Sequence, residues 1–267
     1  MAVKKSDGKY SGILYDFVEK NGTVTVMPKD YTTTSGYREP YVINGDTSYI
    51  GITEESLQGE YKTMIERVEK NGGFWVGRYE TSNMNSSNFS TNAVNVVRGT
   101  TNGINYVNWY EMYKGEKAYK NAEENIGLKY SNTTSSMIWG SQWDQIMIWM
   151  KEVKNTKNTA NGQYYITNAL GMGNYVNNDN DTDTTAPVET GKREEYKVKN
   201  IYDLAGNVLD WTLEAYSTNF QNNRAGRGSD YENMDGSCAK AASCHYYDSY
   251  ILPDMSNPKV GSRLTLY

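Results

Sequence analysis

The spacing of apolar positions changes period along this chain, and each change predicts an element. Residues 22–28, GTVTVMP, alternate β-branched and apolar side chains and end at a proline, which predicts a short strand. From Thr53 the period becomes 3.6. Leu57, Tyr61, Met64, Ile65 and Val68 fall on one face, Thr53 is placed as N-cap, Glu54 and Glu55 fill the first turn, and Asn71-Gly72 is a stop signal. A helix over about 54–70 is expected. The run GGFWVGRYE (72–80) then reads as a buried strand. A second helix, over about 142–153, is signalled by Ser141 as cap with Asp144 three residues on. Trp143, Ile146, Met147, Met150 and Val153 make its apolar face, a stripe that reads as core.

From Asn155 to Lys197 the chain turns polar, and NNDNDTDTT (177–185) reads as an exposed loop. Asp179, Asp181 and Asp183 alternate there as in a calcium loop, but the glycine and late glutamate of an EF-hand are missing, so a solvated turn is the better reading. After Trp211 periodicity lapses for about forty residues, until VGSRLTLY (260–267) predicts a closing strand. A long irregular stretch inside a compact domain tends to carry function.

Composition narrows the classes. A length of 267 residues allows one large domain or two small ones. The net charge is −5 and Lys and Arg are spread along the chain, which offers no footprint for nucleic acid. No apolar run approaches the roughly 20 residues of a membrane span, and Met1-Ala2-Val3-Lys4-Lys5 has no hydrophobic segment behind it to act as a signal peptide. Cys238 and Cys244, the only two cysteines, are too few for a disulfide scaffold or a structural zinc site; they are incidental, a pair, or reactive. The marked bias is 24 tyrosines among abundant Asn, Gly, Ser and Thr, a palette resembling a paratope. The single histidine, His245, adjoins Cys244 in SCHYYDSYIL (243–252). Sequence neighbours on an extended segment point apart and no third orienting group is evident, so a Cys–His nucleophile is disfavoured.

The element NIYDLAGNVLDWTLEAY (200–216) resembles the signature of the formylglycine-generating-enzyme (sulfatase-modifying factor) branch of the C-type-lectin fold. TVTVMP, GGFWVGRYET, INYVNWYEMY (104–113), IWGSQWDQIMIWM (138–150) and the VGSR ending follow in the same order. The resemblance implies an α+β fold with little regular secondary structure, a domain spanning 20–267 after an N-terminal extension, 1–19, and a variable C-terminal segment at about 216–257. In enzymes of the family the positions matching Asp203, Gly206, Val208 and Asp210 bind calcium, the two carboxylates and two backbone groups making a hard oxygen set. The equally weighted reading is that Asp203 and Asp210 cap and brace the turn while Trp211 fills the core.

Two functions follow from the resemblance. The family enzymes oxidise a client cysteine with a copper-binding cysteine pair, for which Cys238 and Cys244 are the candidates, although their spacing and surroundings differ from the enzymes'. The other branch is the variable proteins of diversity-generating retroelements, which carry a GNV-type motif, an Arg-Gly element, an irregular variable segment and a Gly-x-Arg strand. Here these are AGNVLDW, NRAGRGSDY (223–231), GSCAKAASCHYYDSYILPDMSN (236–257) and VGSRLTLY. In such systems asparagine codons are randomised at adenines, and every residue from Cys244 to Leu252 belongs to the set so reached. That reading expects a non-enzymatic ligand-binding protein of a phage virion or bacterial surface, with no cofactor beyond structural calcium and with a protein or glycan ligand. Its binding face would be Asp230, Tyr231, Asp235, Cys238, Cys244, His245, Tyr246, Tyr247, Asp248, Ser249, Tyr250, Ile251 and Leu252, clustered and exposed.

Overall fold

Helix α2 (Glu54–Asn71) forms where the 3.6-residue spacing places it. Thr53 Oγ1 accepts from the Ser56 amide at 3.2 Å while Ser56 Oγ accepts from the Thr53 amide at 2.9 Å, and Gly72 ends the helix in the left-handed region at φ 75°. Its buried residues are the five of the expected face. The computed structural model describes residues 3–6, 9–12, 15–21, 23–28, 37–83, 94–96, 98–99, 107–121, 128, 131–151, 162–167, 169, 173–175, 186–216, 223–232, 241, 244–246 and 253–267. Val153, Asp179, Asp181 and Asp183 lie outside them.

The other elements are β1 (Val3–Ser6), β2 (Lys9–Gly12), β3 (Tyr15–Lys20), β4 (Thr23–Pro28), β5 (Tyr37–Arg38), α1 (Asn44–Ile50), β6 (Trp75–Val76), β7 (Ser82–Asn83), β8 (Val94–Asn95), α3 (Trp109–Ala118) and β9 (Ser135–Met137). They continue with α4 (Gly140–Lys151), α5 (Gly162–Thr167), β10 (Lys197–Val198), β11 (Ile201–Tyr202), β12 (Leu209–Tyr216), β13 (Asn223–Arg227), β14 (Cys244–Tyr246), β15 (Val260–Ser262) and β16 (Leu264–Leu266). The chain is α+β, as expected, and most of its described elements are short. β3 and β4 pair from Tyr15–Pro28 to Lys20–Thr23, so the expected boundary between residues 19 and 20 falls inside a hairpin.

The main sheet runs β14–β13–β12–β15. Antiparallel β13 covers one edge of β12, while parallel β15 (at Leu209–Trp211) and antiparallel β5 (at Ala215–Tyr216) share the other. A second sheet runs β6–β16–β9. Trp139, Trp211, Leu213 and the α2 face form one buried cluster, and Trp143, Ile146, Met147, Tyr165 and Tyr175 form a second. Phe74 packs against both. Trp211, 1 % exposed, fills the core as expected.

Four local expectations are corrected. Ser141 does not cap the second helix: α4 begins at Gly140, and the carboxylate of Glu39 accepts the Gly140 and Ser141 amides at 2.5 and 2.9 Å. A sequence-distant carboxylate does the capping, which a local pattern does not reveal. Within 72–80 only Trp75–Val76 is strand, and Trp75 is 78 % exposed, because on the edge strand β6 alternation turns Phe74 and Val76 inward and Trp75 outward. The closing strand is two strands in two sheets, broken at the buried Arg263; and the stretch after Trp211 holds most of the eight-residue β12, whose apolar and polar positions alternate while both faces are buried.

Candidate ligand-binding face and its buried scaffold

The turn between β11 and β12 is built on left-handed residues: Asp203 (φ 55°), Gly206 (φ 81°) and Asn207 (φ 65°). A Cβ on Gly206 would meet the Asn174 backbone at 2.9 Å, so only glycine allows this approach. Asparagine tolerates the left-handed region, and its amide both donates and accepts. Asn207 uses all of this: Oδ1 accepts from the Val188 amide (2.8 Å) and Asn174 Nδ2 (3.1 Å), while Nδ2 donates to Glu80 Oε2 (2.5 Å) and the Val188 carbonyl (3.2 Å). The Val208 amide donates to Glu80 Oε1 at 3.3 Å.

Arg263, wholly buried between β15 and β16, closes the turn from the other side. Its Nε donates to Asp210 Oδ2 (3.0 Å), one terminal nitrogen to the Gly77 carbonyl (3.1 Å), and the other to the carbonyls of Tyr202 (3.0 Å) and Asp203 (3.2 Å). Asp203 Oδ2 accepts from the Gly191 amide (2.8 Å) and Thr190 Oγ1 (3.0 Å). Burial raises the Asp203 carboxyl to about 6 and also raises Asp210, and the Arg263 charge works against both. The guanidinium takes Asp210 Oδ2 and the Asp203 carbonyl, while Asp203 Oδ1 and Asp210 Oδ1 are buried with no hydrogen-bond partner among the described residues. Among the described residues no group of three or more His, Cys, Asp or Glu could hold a metal.

Two more arginines are wholly buried on β13. Arg224 pairs with Asp46 on α1, donates to the Leu213 carbonyl at 2.8 Å and lies 4.4 Å above the Trp109 ring. Arg227 grips Glu214 at 2.7–2.8 Å and Asp144 at 3.2 Å, tying β13 to β12 and α4. The carboxyls without an arginine of their own are raised as well. Burial, with the Glu214 charge adding, raises Glu39 to about 8. Burial also raises Glu116 to about 8, against donors Thr81 Oγ1 (2.6 Å) and Ser262 Oγ (2.8 Å). Glu80 is pushed well up by burial and by the Asp203 and Asp210 charges.

Within the segment expected to vary, Ala241 is wholly buried, its carbonyl accepting from Trp143 Nε1 at 2.9 Å and its amide donating to the Tyr165 carbonyl at 3.3 Å. Among the described strands β14 pairs with β13 alone, Arg227 opposite Cys244, Gly226 opposite His245 and Ala225 opposite Tyr246. The chain rejoins the frame at Pro253, whose carbonyl accepts the Trp109 amide at 2.9 Å. Asp230 and Tyr231, expected on the exposed face, are buried at 5 % and 6 %. Asp230 Oδ1 accepts from the Glu232 amide (2.9 Å) and the Tyr231 amide donates to the Asn207 carbonyl (3.0 Å), so both belong to the turn. Asp235, Cys238, Tyr247, Asp248, Ser249, Tyr250, Ile251 and Leu252 lie outside the described residues; Cys244, His245 and Tyr246 are placed by their backbone. Sequence reasoning missed Glu39, Glu80, Asn207, Arg224, Arg227 and Arg263. The available signal was charge inside otherwise apolar strand segments, together with an asparagine beside a turn glycine.

No family model matches the chain, and no curated protein matches it. Among solved structures it is similar to Treponema denticola variable protein 1, at 13% identity over 99% of this chain and 98% of that one, with a TM-score of 0.44. It is also similar to the crystal structure of CarF, at 14% identity over 96% and 94% of the two chains, with a TM-score of 0.41. Likeness at this depth identifies neither a family nor a function.

Proposed function

We propose that this chain is a non-enzymatic ligand-binding protein on a C-type-lectin-type fold, a variable protein of a diversity-generating retroelement displayed on a phage virion or bacterial surface. The domain runs from the β3–β4 hairpin onward. Its ligand, a protein or glycan on another surface, meets Asp235, Cys238 and the run Cys244 to Leu252; Asp230 and Tyr231 are scaffold.

The observation that supports this reading is the division of labour around β12. AGNVLDW, NRAGRGSDY and VGSR, the motif pieces that bracket the irregular segment, supply β12, β13, β15 and the buried ion pairs of Arg227 and Arg263. The segment between them is attached to the described frame at three places: Ala241, wholly buried beside Trp143 and Tyr165, the edge strand β14, and Pro253. A frame fixed on both sides of a segment by buried pairs needs particular side chains within it only where the segment enters the core, here at Ala241. In this reading Arg263 supplies the charge that calcium supplies in the enzymes, and Cys238 and Cys244 are variable positions.

The test is to sequence the DNA around the gene, and to replace 244–252 by an unrelated nine-residue sequence. A reverse-transcriptase gene beside a near-copy of the last coding stretch, differing at adenines, and a replaced protein that melts as before are expected. Copper-dependent oxidation of a cysteine peptide, lost in Cys244→Ser, would refute the reading.

A further inference from the structure

Two large side chains stand out of the surface beside the end of the candidate face: Tyr49 in the last turn of α1, 58 % exposed, and Met255, 46 % exposed. The Tyr49 hydroxyl donates to Asp254 Oδ2 at 2.8 Å. Asp254 is two residues past Leu252, the last of the run assigned above to ligand binding, and Met255 follows it. The ring is held in place. It lies on Tyr110 with centroids 5.0 Å apart and planes tilted by 31°. Helix α1 approaches α3 closely, for a Cβ on Gly45 would collide with the Tyr110 hydroxyl. Asp46 of α1 pairs with the buried Arg224 of β13, and the next residue of that strand, Ala225, is opposite Tyr246 of β14. α1 and β14 therefore hang from neighbouring residues of one strand, while the Trp109 amide fixes the Pro253 carbonyl.

What this corner offers a ligand follows from its groups. The exposed phenol is already engaged by Asp254, so Tyr49 and Met255 present mainly apolar area. A glycan or small molecule is held by convergent polar groups in a hollow, and the cavities of about 300, 330 and 410 Å³ lie around Trp75 and Tyr267 instead. Folded proteins bury aromatic rings and methionines where they meet. A tyrosine fixed before contact also gives up little freedom on binding.

Resting on the ligand-binding reading of 244–252, we propose that Tyr49 and Met255 form a fixed wall of the same face, and that the ligand meeting it is a folded protein. The wall touches that protein whichever sequence 244–252 carries.

The test randomises 244–252 in the full chain, displays the library on yeast, and selects against two folded probes, ubiquitin and serum albumin, with mannan as the glycan comparison. Binders to the protein probes are expected. In most independent clones Tyr49→Ala should weaken the affinity of the purified chain about ten-fold or more, and Met255→Ala should weaken it less. Melting should shift by no more than about 2 °C in either variant. Tyr49→Phe keeps the ring and removes the hydrogen bond to Asp254, so it should keep most of the affinity. If it weakens binding as Tyr49→Ala does, the residue is a brace and not a contact, and the proposal is overturned. It is also overturned if most clones bind as before after Tyr49→Ala, if binders emerge against mannan alone, or if the parent sediments as a dimer that Tyr49→Ala dissolves. Clones that bind regardless of Tyr49 sink this proposal alone, whereas a library with no binder to any probe sinks the reading of 244–252 and this proposal with it.

Discussion

Arg263 Nε and Asp210 Oδ2 lie 3.0 Å apart with both side chains fully buried, joining β12 to the residue that separates β15 from β16. Removing one partner of such a pair strands the other charge. Arg263→Met is expected to cost about 3–5 kcal/mol in urea unfolding, and Asp210→Leu combined with it should recover part of that loss. A cost below about 1 kcal/mol for the single variant would show that the pair does not hold the strands together.

If the guanidinium fills the electrostatic role of a metal, chelation has nothing to remove. Melting in excess EDTA should coincide with melting in millimolar calcium. A fall of several degrees on chelation would place an ion at the Asp203–Asp210 turn.

Glu39 and Glu116 bind protons more tightly folded, at about 8, than at the ordinary 4.5. A raised carboxyl contributes stability that is fully present below its unfolded value and lost as pH rises through its folded value. Across the window from about 4.5 to about 8 these two groups therefore favour the acid side, and the melting temperature should fall from pH 6 to pH 9. Glu116→Gln keeps an acceptor for Thr81 and Ser262 and should flatten the slope. A melting temperature that rises over the same range would contradict this assignment.

The aromatic residues of the candidate face should matter for binding alone. Tyr246→Ala, Tyr247→Ala and Tyr250→Ala are each expected to shift stability by no more than about 0.5 kcal/mol while abolishing capture of a cell or particle that the parent binds. Losses of several kcal/mol would mean that the segment belongs to the frame.

Trp211→Ala removes a large side chain from the cluster around Leu213 and Trp139, and should cost about 3–5 kcal/mol. Loss of less than about 1 kcal/mol in urea unfolding would mean that the neighbours collapse into the space.

What was legible in the sequence was what repeats within a few residues. The α2 face could be read because Leu57, Tyr61, Met64, Ile65 and Val68 recur on one stripe between local stop signals. The polar interior was illegible because its partners are far apart in the chain: Glu39 caps a helix that begins at Gly140, and Arg224 reaches Asp46. In β12, Leu209, Trp211, Leu213 and Ala215 alternate with Asp210, Thr212 and Glu214, so the strand was legible; what alternation does not disclose is that both of its faces are buried. The exposure of Trp75 depended on which strand ends the second sheet, a property of topology that composition does not carry.

The anchoring of the chain at Tyr246, opposite Ala225 on β13, and at Pro253, whose carbonyl accepts the Trp109 amide, has a consequence for the length between them as well as its residues. Once the strands on either side are pinned, the entropy of closing the intervening loop grows only with the logarithm of its length, and doubling it costs about 0.6 kcal/mol. Insertions and deletions between these anchors are thus nearly as cheap as substitutions. A lineage of such chains can explore deep, flat or protruding shapes against new surfaces without rebuilding the strands beneath.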